Sequence, residues 1–128
     1  MIVLDASVLI AAMTPDDSHH AAAISLLATL DEGSVRLIHS VNLAEVLVGQ
    51  VPYGLEESAA LEIAASGVEA IGTDVETPVR LARLRASTKL GLPDCCALDA
   101  ALETGYAIAT FDDRLARAAK SLGIPLAA

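Results

Sequence analysis

Short apolar runs rich in β-branched residues alternate along this chain with longer stretches of helical periodicity. The first run, IVL at 2–4, reads as a buried strand, and SVLIAAM after it as a short helix. Asp16 and Asp17 precede SHHAAAISLLATLDEG, where Ile24, Leu27 and Leu30 keep helical spacing and Gly33 supplies the stop. VRLI (35–38) predicts a second strand, VNLAEVLVGQ (41–50) a helix, and GLEESAALEIAASG another helix ended by Gly67. VEAI (68–71) predicts the third strand, and a long helix from Asp74 to Leu90 follows, with Pro78 tolerable in its first turn. Pro93 opens the helix PDCCALDAALETG, and YAIAT (106–110) is the fourth strand. DDRLARAAKSLG is the last helix, and IPL (124–126) is a candidate for a short fifth strand.

This alternation predicts a doubly wound α/β/α sandwich around a mostly parallel sheet of four to five strands. With no repeat, low-complexity segment or linker, residues 1–128 are expected to form one domain, close to the commonest domain size. In open sheets of this kind ligands bind beyond the carboxyl ends of the strands, which directs attention to the residues there.

Four acids fall at that edge. Asp5 ends the first predicted strand between apolar flanks, where an unpaired carboxylate is costly to bury. Asp112 ends the fourth strand, while Glu45 and Asp94 sit on helices able to line the same crevice. Three of them have plainer explanations. Asp94 suits the positive end of a helix dipole. Asp112 suits an N-cap, or Thr110 and Asp113 a capping box. Glu45 shares a polar helix face with Asn42 and could simply be solvated. Together, however, four carboxylates at one edge cannot all ionise without a cation. A hard, all-oxygen donor set fits Mg²⁺ or Mn²⁺ rather than zinc. A carboxylate-held metal beside basic residues is an arrangement that hydrolyses phosphodiesters.

The net charge of −9 argues against binding a polyanion through bulk electrostatics. The eight basic residues are nevertheless clustered: Arg80, Arg83, Arg85 and Lys89 lie in one stretch, and Arg114, Arg117 and Lys120 in another. Cys95 and Cys96 are adjacent, so their side chains diverge, which suits neither a disulfide nor a zinc pair; they read as small buried hydrophobes. No apolar stretch approaches the ~18–20 residues of a membrane span. Strand-like sequence starts at residue 2 and no secretory signal pattern is visible, so a cytoplasmic chain is expected. His19, His20 and His39 are not at ligand spacing, and the first two are expected to face solvent. Tyr53, Tyr106 and Phe111 are the only Tyr, Phe or Trp residues, which leaves no evident platform for stacking bases.

The opening IVLDAS, the Glu of NLAEVL, LPDCCALDAAL and the TFDD of ATFDDRLARAA together resemble a PIN domain. The size resembles the stand-alone VapC toxins of bacterial toxin–antitoxin pairs, and the resemblance covers essentially the whole chain. It implies a PIN-like fold in which Asp5, Glu45, Asp94 and Asp112 bind one or two divalent metals, Mg²⁺ or Mn²⁺, and support RNA cleavage. Ser7 and Thr110 match hydroxyl residues that orient a carboxylate, water or phosphate. The implied partners are an RNA substrate, a second copy in a homodimer, and a VapB-type antitoxin whose C-terminal segment enters the active-site groove, with no membrane. Arg114 and Arg117, one turn apart after Asp112, are the better candidates for phosphate contact. Arg80 and Arg83 read either as a solvated helix face or as contacts to RNA or antitoxin. Asp99 departs from the family pattern, which has small apolar residues there. Five residues turn a helix about 140°, so Asp99 points well away from Asp94 and reads either as a rim residue that supports the site or a second metal, or as a solvated helix residue.

Two other readings compete. A phosphoaccepting receiver domain is also doubly wound, but it needs an acidic pair after strand one, an acceptor Asp after strand three and a Lys after the last strand. Here strand one carries a single acid, and Asp74 is displaced from the third strand's end. The other reading is a catalytically silent PIN-like module that only binds a partner.

Overall fold

The computed structural model describes residues 1–30 and 33–127. Four strands, β1 (Ile2–Leu4), β2 (Arg36–His39), β3 (Val68–Ile71) and β4 (Ala107–Ala109), form one sheet in the order β3-β2-β1-β4, and every pairing is parallel. Between them run α1 (Ala6–Met13), α2 (His20–Thr29), α3 (Ser40–Val48), α4 (Glu56–Ala65), α5 (Thr77–Thr88) and α6 (Leu92–Thr104), with α7 (Asp113–Ser121) after β4. Among the described residues no helix is long and apolar enough to cross a membrane.

Parallel strands covered on both faces need apolar residues on both faces, and β1, β2 and β4 divide that way, while the edge strand β3 buries only Val68. Ile2, Leu4, Ile38 and Ala109 pack with Val8, Ala23, Val46 and Ile63, beneath α1 to α4. Val3, Leu37 and Ile108 face the other way, onto Leu84, Leu98 and Leu115 of α5, α6 and α7. Seven successive residues of α6, Cys95 to Ala101, are buried, so this helix has almost no solvent face. Cys95 and Cys96 are free and buried within it, and burial pushes the Cys96 thiol up to about 11.

The expected alternation of elements is present, with differences at the ends. The stretch 124–126 makes only a single parallel bridge, Ile108 to Leu126, so the sheet has four strands. The helix expected from Asp74 begins at Thr77, because the Asp74 carboxylate accepts the Glu76 N–H at 3.0 Å and forms a turn instead. It ends at Thr88, where Lys89 takes a left-handed conformation (φ 62°). The expected continuation of the second helix through Asp31 and Glu32 lies outside the described residues.

His39, at the end of β2, is fully enclosed. Its Nδ1 accepts the Val41 N–H at 3.1 Å and caps α3, which leaves the ring proton on Nε2, a buried atom without a partner among the described residues. Gly72 makes room for the ring: it has φ +97°, and a Cβ there would lie 2.3 Å from two imidazole atoms.

Gly72→Ala therefore combines backbone strain with a clash and is expected to cost about 2–4 kcal/mol in denaturant unfolding. Gly105→Ala, left-handed at φ +74° but open around its Cβ, is expected to cost only about 1 kcal/mol. Burial lowers the His39 pKa below 6.5, outweighing the charge of Asp99, which raises it. The unfolded chain therefore takes up the proton first. Stability is complete above about pH 6.5 and falls as the pH drops through that value. His39→Asn, which retains a capping side chain, should flatten this loss in thermal unfolding between pH 7 and 5.

Candidate active site

The register of β1 on β4 pairs Leu4 with Ala109 and so brings the next residues, Asp5 and Thr110, side by side at the carboxyl edge of the sheet. Asp5 occupies the N-cap position of α1, yet its side chain makes no cap bond. Instead its Oδ2 accepts the hydroxyls of Ser7 at 2.8 Å and Thr110 at 2.9 Å. Each hydroxyl also accepts a backbone N–H, Ser7 from Phe111 at 3.1 Å and Thr110 from Asp112 at 3.0 Å. Both hydroxyl protons are thus committed to Asp5. The carboxylate is buried, with 6% of the residue exposed, and is satisfied on one oxygen.

Asp112 is an N-cap as well as a site acid. Its Oδ1 accepts the N–H groups of Arg114 (2.9 Å) and Leu115 (3.0 Å) at the start of α7, while no hydrogen bond to its other oxygen is formed among the described residues. The alternative capping box through Asp113 is not formed. Asp94 lies in the first turn of α6, half-buried, and its pKa is raised above the usual carboxylate value. Burial is the largest cause, followed by the charges of Asp112, Asp5 and Glu45; Arg114 works the other way. A first-turn acid gains only ~0.3–1 kcal/mol from the helix dipole, and here the like charges and burial win. Asp94 thus feels the charges of the other three acids expected at this edge. Among the described residues no three or more His, Cys, Asp or Glu side chains are grouped closely enough to hold a metal ion between them. The site is an open acidic rim.

Glu45 is exposed, but its Oε1 accepts the Asn42 amide at 3.0 Å, and the same Nδ2 donates to the Pro93 carbonyl at 2.8 Å. Asn42 is fully buried, so it bridges α3 to the residue before Asp94 and sets two site acids against each other. Its spacing from Glu45 was visible in the sequence, whereas the Pro93 contact joins positions 51 apart and was not.

Asp99 and Arg80 are placed differently from expectation. Asp99 is only 2% exposed and bonds the Arg80 guanidinium through both oxygens, Nε to Oδ1 at 2.8 Å and Nη2 to Oδ2 at 3.2 Å. Asp74 (2.9 Å), Glu103 (3.5 Å) and Glu76 (3.9 Å) complete a ring of carboxylates around it, and Arg80 holds the Asp74 pKa down at about 2. Because α6 is buried nearly all round, the 140° turn leads Asp99 into α5 instead of solvent. Arg80 is consequently neither a free cation nor a solvated residue. Arg83, Arg114 and Arg117 are exposed and form no ion pair among the described residues.

Of the two histidines expected to face solvent, His19 is exposed and His20 is half-buried. His20 bonds the Ala11 carbonyl through Nδ1 at 2.8 Å, and the His19 ring stacks on Phe111 with centroids 4.7 Å apart and planes 8° apart.

Comparison with protein families matches residues 2–121 to the PIN domain. The fold is similar to that of VapC20 of Mycobacterium tuberculosis, described as a sarcin–ricin loop cleaving toxin: TM-score 0.78, 16% identity, 92% of this chain and 95% of that one. A toxin–antitoxin complex from Klebsiella pneumoniae aligns with TM-score 0.70 and 23% identity over 88% of this chain and 87% of that one. VapBC2 of Rickettsia felis, bound to a DNA fragment from its promoter, aligns with TM-score 0.69 and 20% identity over 98% and 97%. A comparison with curated protein sequences finds no match.

The raised pKa of Asp94 carries a sign. The folded state binds its proton more readily than the unfolded chain, so stability falls as the pH rises from about 3.8 through the folded value. Asp94→Asn should stabilise the protein near pH 7 without divalent cations, by about 1 kcal/mol or less after solvent screening, read as a higher melting temperature. An Asp94→Asn variant less stable than the parent would contradict the repulsion described here.

Proposed function

The chain belongs to the PIN domain family, and on that premise we propose that it is a divalent-metal-dependent endoribonuclease, the toxin of a VapBC-type toxin–antitoxin pair acting in the cytoplasm as one domain over residues 1–128. The observation that carries this reading is the β1–β4 register, which sets Asp5 beside Thr110 at the carboxyl edge of the sheet, with Asp112 at the start of α7 and Asp94 close enough to feel both charges and that of Glu45. A donor set made only of carboxylate oxygens suits Mg²⁺ or Mn²⁺. The open rim suits Mg²⁺ in particular, since that ion keeps several waters and takes few protein ligands. Asp5, Glu45, Asp94 and Asp112 would hold it. When bound, the cation supplies a nucleophilic water and neutralises charge on the scissile phosphate.

The chain's own residues have distinct tasks. Ser7 and Thr110 fix the Asp5 carboxylate, Asn42 fixes Glu45, and the Asp112 cap fixes the start of α7. Arg114 and Arg117, exposed just beyond Asp112, present cations to RNA phosphates. The exposed Val41, Val48 and Leu61 of α3 and α4, with the groove by Glu45 lined by Ile10, Met13 and Val46, offer apolar surface for a second copy and for a VapB-type antitoxin segment. The phosphoacceptor reading loses its acceptor, because Asp74 lies three residues beyond the edge strand β3 and is bound to Arg80.

RNA cleavage is expected with Mg²⁺ or Mn²⁺ and not with chelator. A bound metal is worth several kcal/mol to the transition state, so Asp5→Asn and Asp94→Asn should each lower the rate about 100-fold or more in protein that remains folded. Arg114→Ala and Arg117→Ala should each reduce the salt dependence of RNA binding by about 0.7 in log–log slope. Robust cleavage by either Asn variant contradicts the reading.

A further inference from the structure

The solvent-facing side of the His19 imidazole is, we infer, a stacking surface for one nucleobase of the RNA, next to the phosphate that is cut. The inference rests on the endoribonuclease reading and names how that site would contact its substrate.

Phe111 stands between Thr110 and Asp112, so its Cα lies one peptide, about 3.8 Å, from that of each site residue. Its N–H is held by the Ser7 hydroxyl that also bonds Asp5, and its ring packs against the core beneath α1 to α4. The ring is thus anchored both to the acid cluster and to the core. His19 lies flat on it, with ring planes 8° apart, and the His19 backbone N–H donates to Asp17 Oδ1 at 2.7 Å. The His19 side chain is nonetheless 53% exposed. With one face covered by Phe111, that exposure belongs to the opposite face and the rim. The result is an aromatic surface already ordered on the turn between Thr110 and Asp112, so little rotamer entropy remains to be lost on binding.

A plainer role would be to fasten the loop before α2 onto the β4–α7 turn. That explains the covered face but not the open one, and His20 already ties the same loop to α1 through the Ala11 carbonyl. The alternatives are elsewhere: Tyr106 packs against the opposite core, and Tyr53 follows α3 in a separate turn. Among the described residues the His19–Phe111 pair is the one stack of rings. Every base presents a π-face, and stacking strength grades the preference. The position reading this surface therefore favours a purine, and Arg114, exposed in the first turn of α7, can take a neighbouring phosphate.

The test is a binding cycle with a short RNA spanning a mapped cleavage position, measured on the Asp94→Asn protein with and without a second change at His19. Each nucleotide is replaced in turn by an abasic one. His19→Ala should weaken binding about 5-fold or more, and one abasic position should cost the same factor in the parent and nothing further in His19→Ala. His19→Phe, which retains a flat ring without the imidazole, should bind within about 2-fold of the parent. In the otherwise unaltered protein, His19→Ala should still cleave with metal but lose the purine preference at that position. Abasic losses that add to His19→Ala at every position overturn the proposal. So does His19→Phe behaving like His19→Ala, because an imidazole charge or a loop effect is then responsible. If the unaltered protein cuts no RNA, the endoribonuclease reading itself falls, a result distinct from cleavage that is indifferent to His19.

Discussion

Two hydroxyls, Ser7 and Thr110, grip one oxygen of the Asp5 carboxylate at the junction of β1 and α1, and the site's geometry follows from that grip. It exists only because β1 and β4 run parallel in a register that places Leu4 opposite Ala109. A shift of one residue would turn Thr110 to the other face of the sheet and leave Asp5 without a partner. The same hydroxyls accept the N–H groups of Phe111 and Asp112 and so shape the turn that presents the fourth acid. Strand register, turn geometry and carboxylate placement are one arrangement.

The second constraint is charge. With a net charge of −9, the protein has few cations and spends three of its eight on its own framework. Arg36 donates to the carbonyls of Ser66, Leu27 and Leu30, and Arg85 to those of Lys89 and Leu90, where the ends of helices carry negative partial charge. Arg80 is enclosed by four carboxylates and locks α5 to α6. Removing Arg80 would leave Asp99 as a buried, unpaired charge, which is more serious than the loss of an exposed pair. The acid cluster has no such internal cation; Arg114 alone offsets the charges felt at Asp94. One group of acids is neutralised by the fold, while the other remains open at the sheet edge.

Much of this was legible in the sequence. The strands IVL and VEAI were found at their observed limits, the first because it is a short apolar run that Asp5 interrupts, the second because glycines bound it on both sides. The positions of two candidate site acids were legible from the same pattern: Asp5 interrupts an apolar run, and Asp112 ends another. What escaped was pairing across large sequence separations. Asp99 could not be assigned to Arg80 without knowing that α6 is enclosed, nor Asn42 to the Pro93 carbonyl. His39 and Gly72 are 33 positions apart, and neither residue signals that an imidazole fills the space the glycine leaves. A count of Tyr, Phe and Trp passed over the ring pair made by Phe111 with a histidine.

The central claim is that Asp5, Glu45, Asp94 and Asp112 surround one cation-binding space. The most direct test is anomalous diffraction at the manganese edge from crystals grown with Mn²⁺. A peak bounded by carboxylate oxygens of Asp5 and Asp94, with Asp112 or Glu45 reaching it directly or through water, is the predicted result. Ordered side chains at these four positions with no peak among them, at Mn²⁺ concentrations that support cleavage, would contradict it.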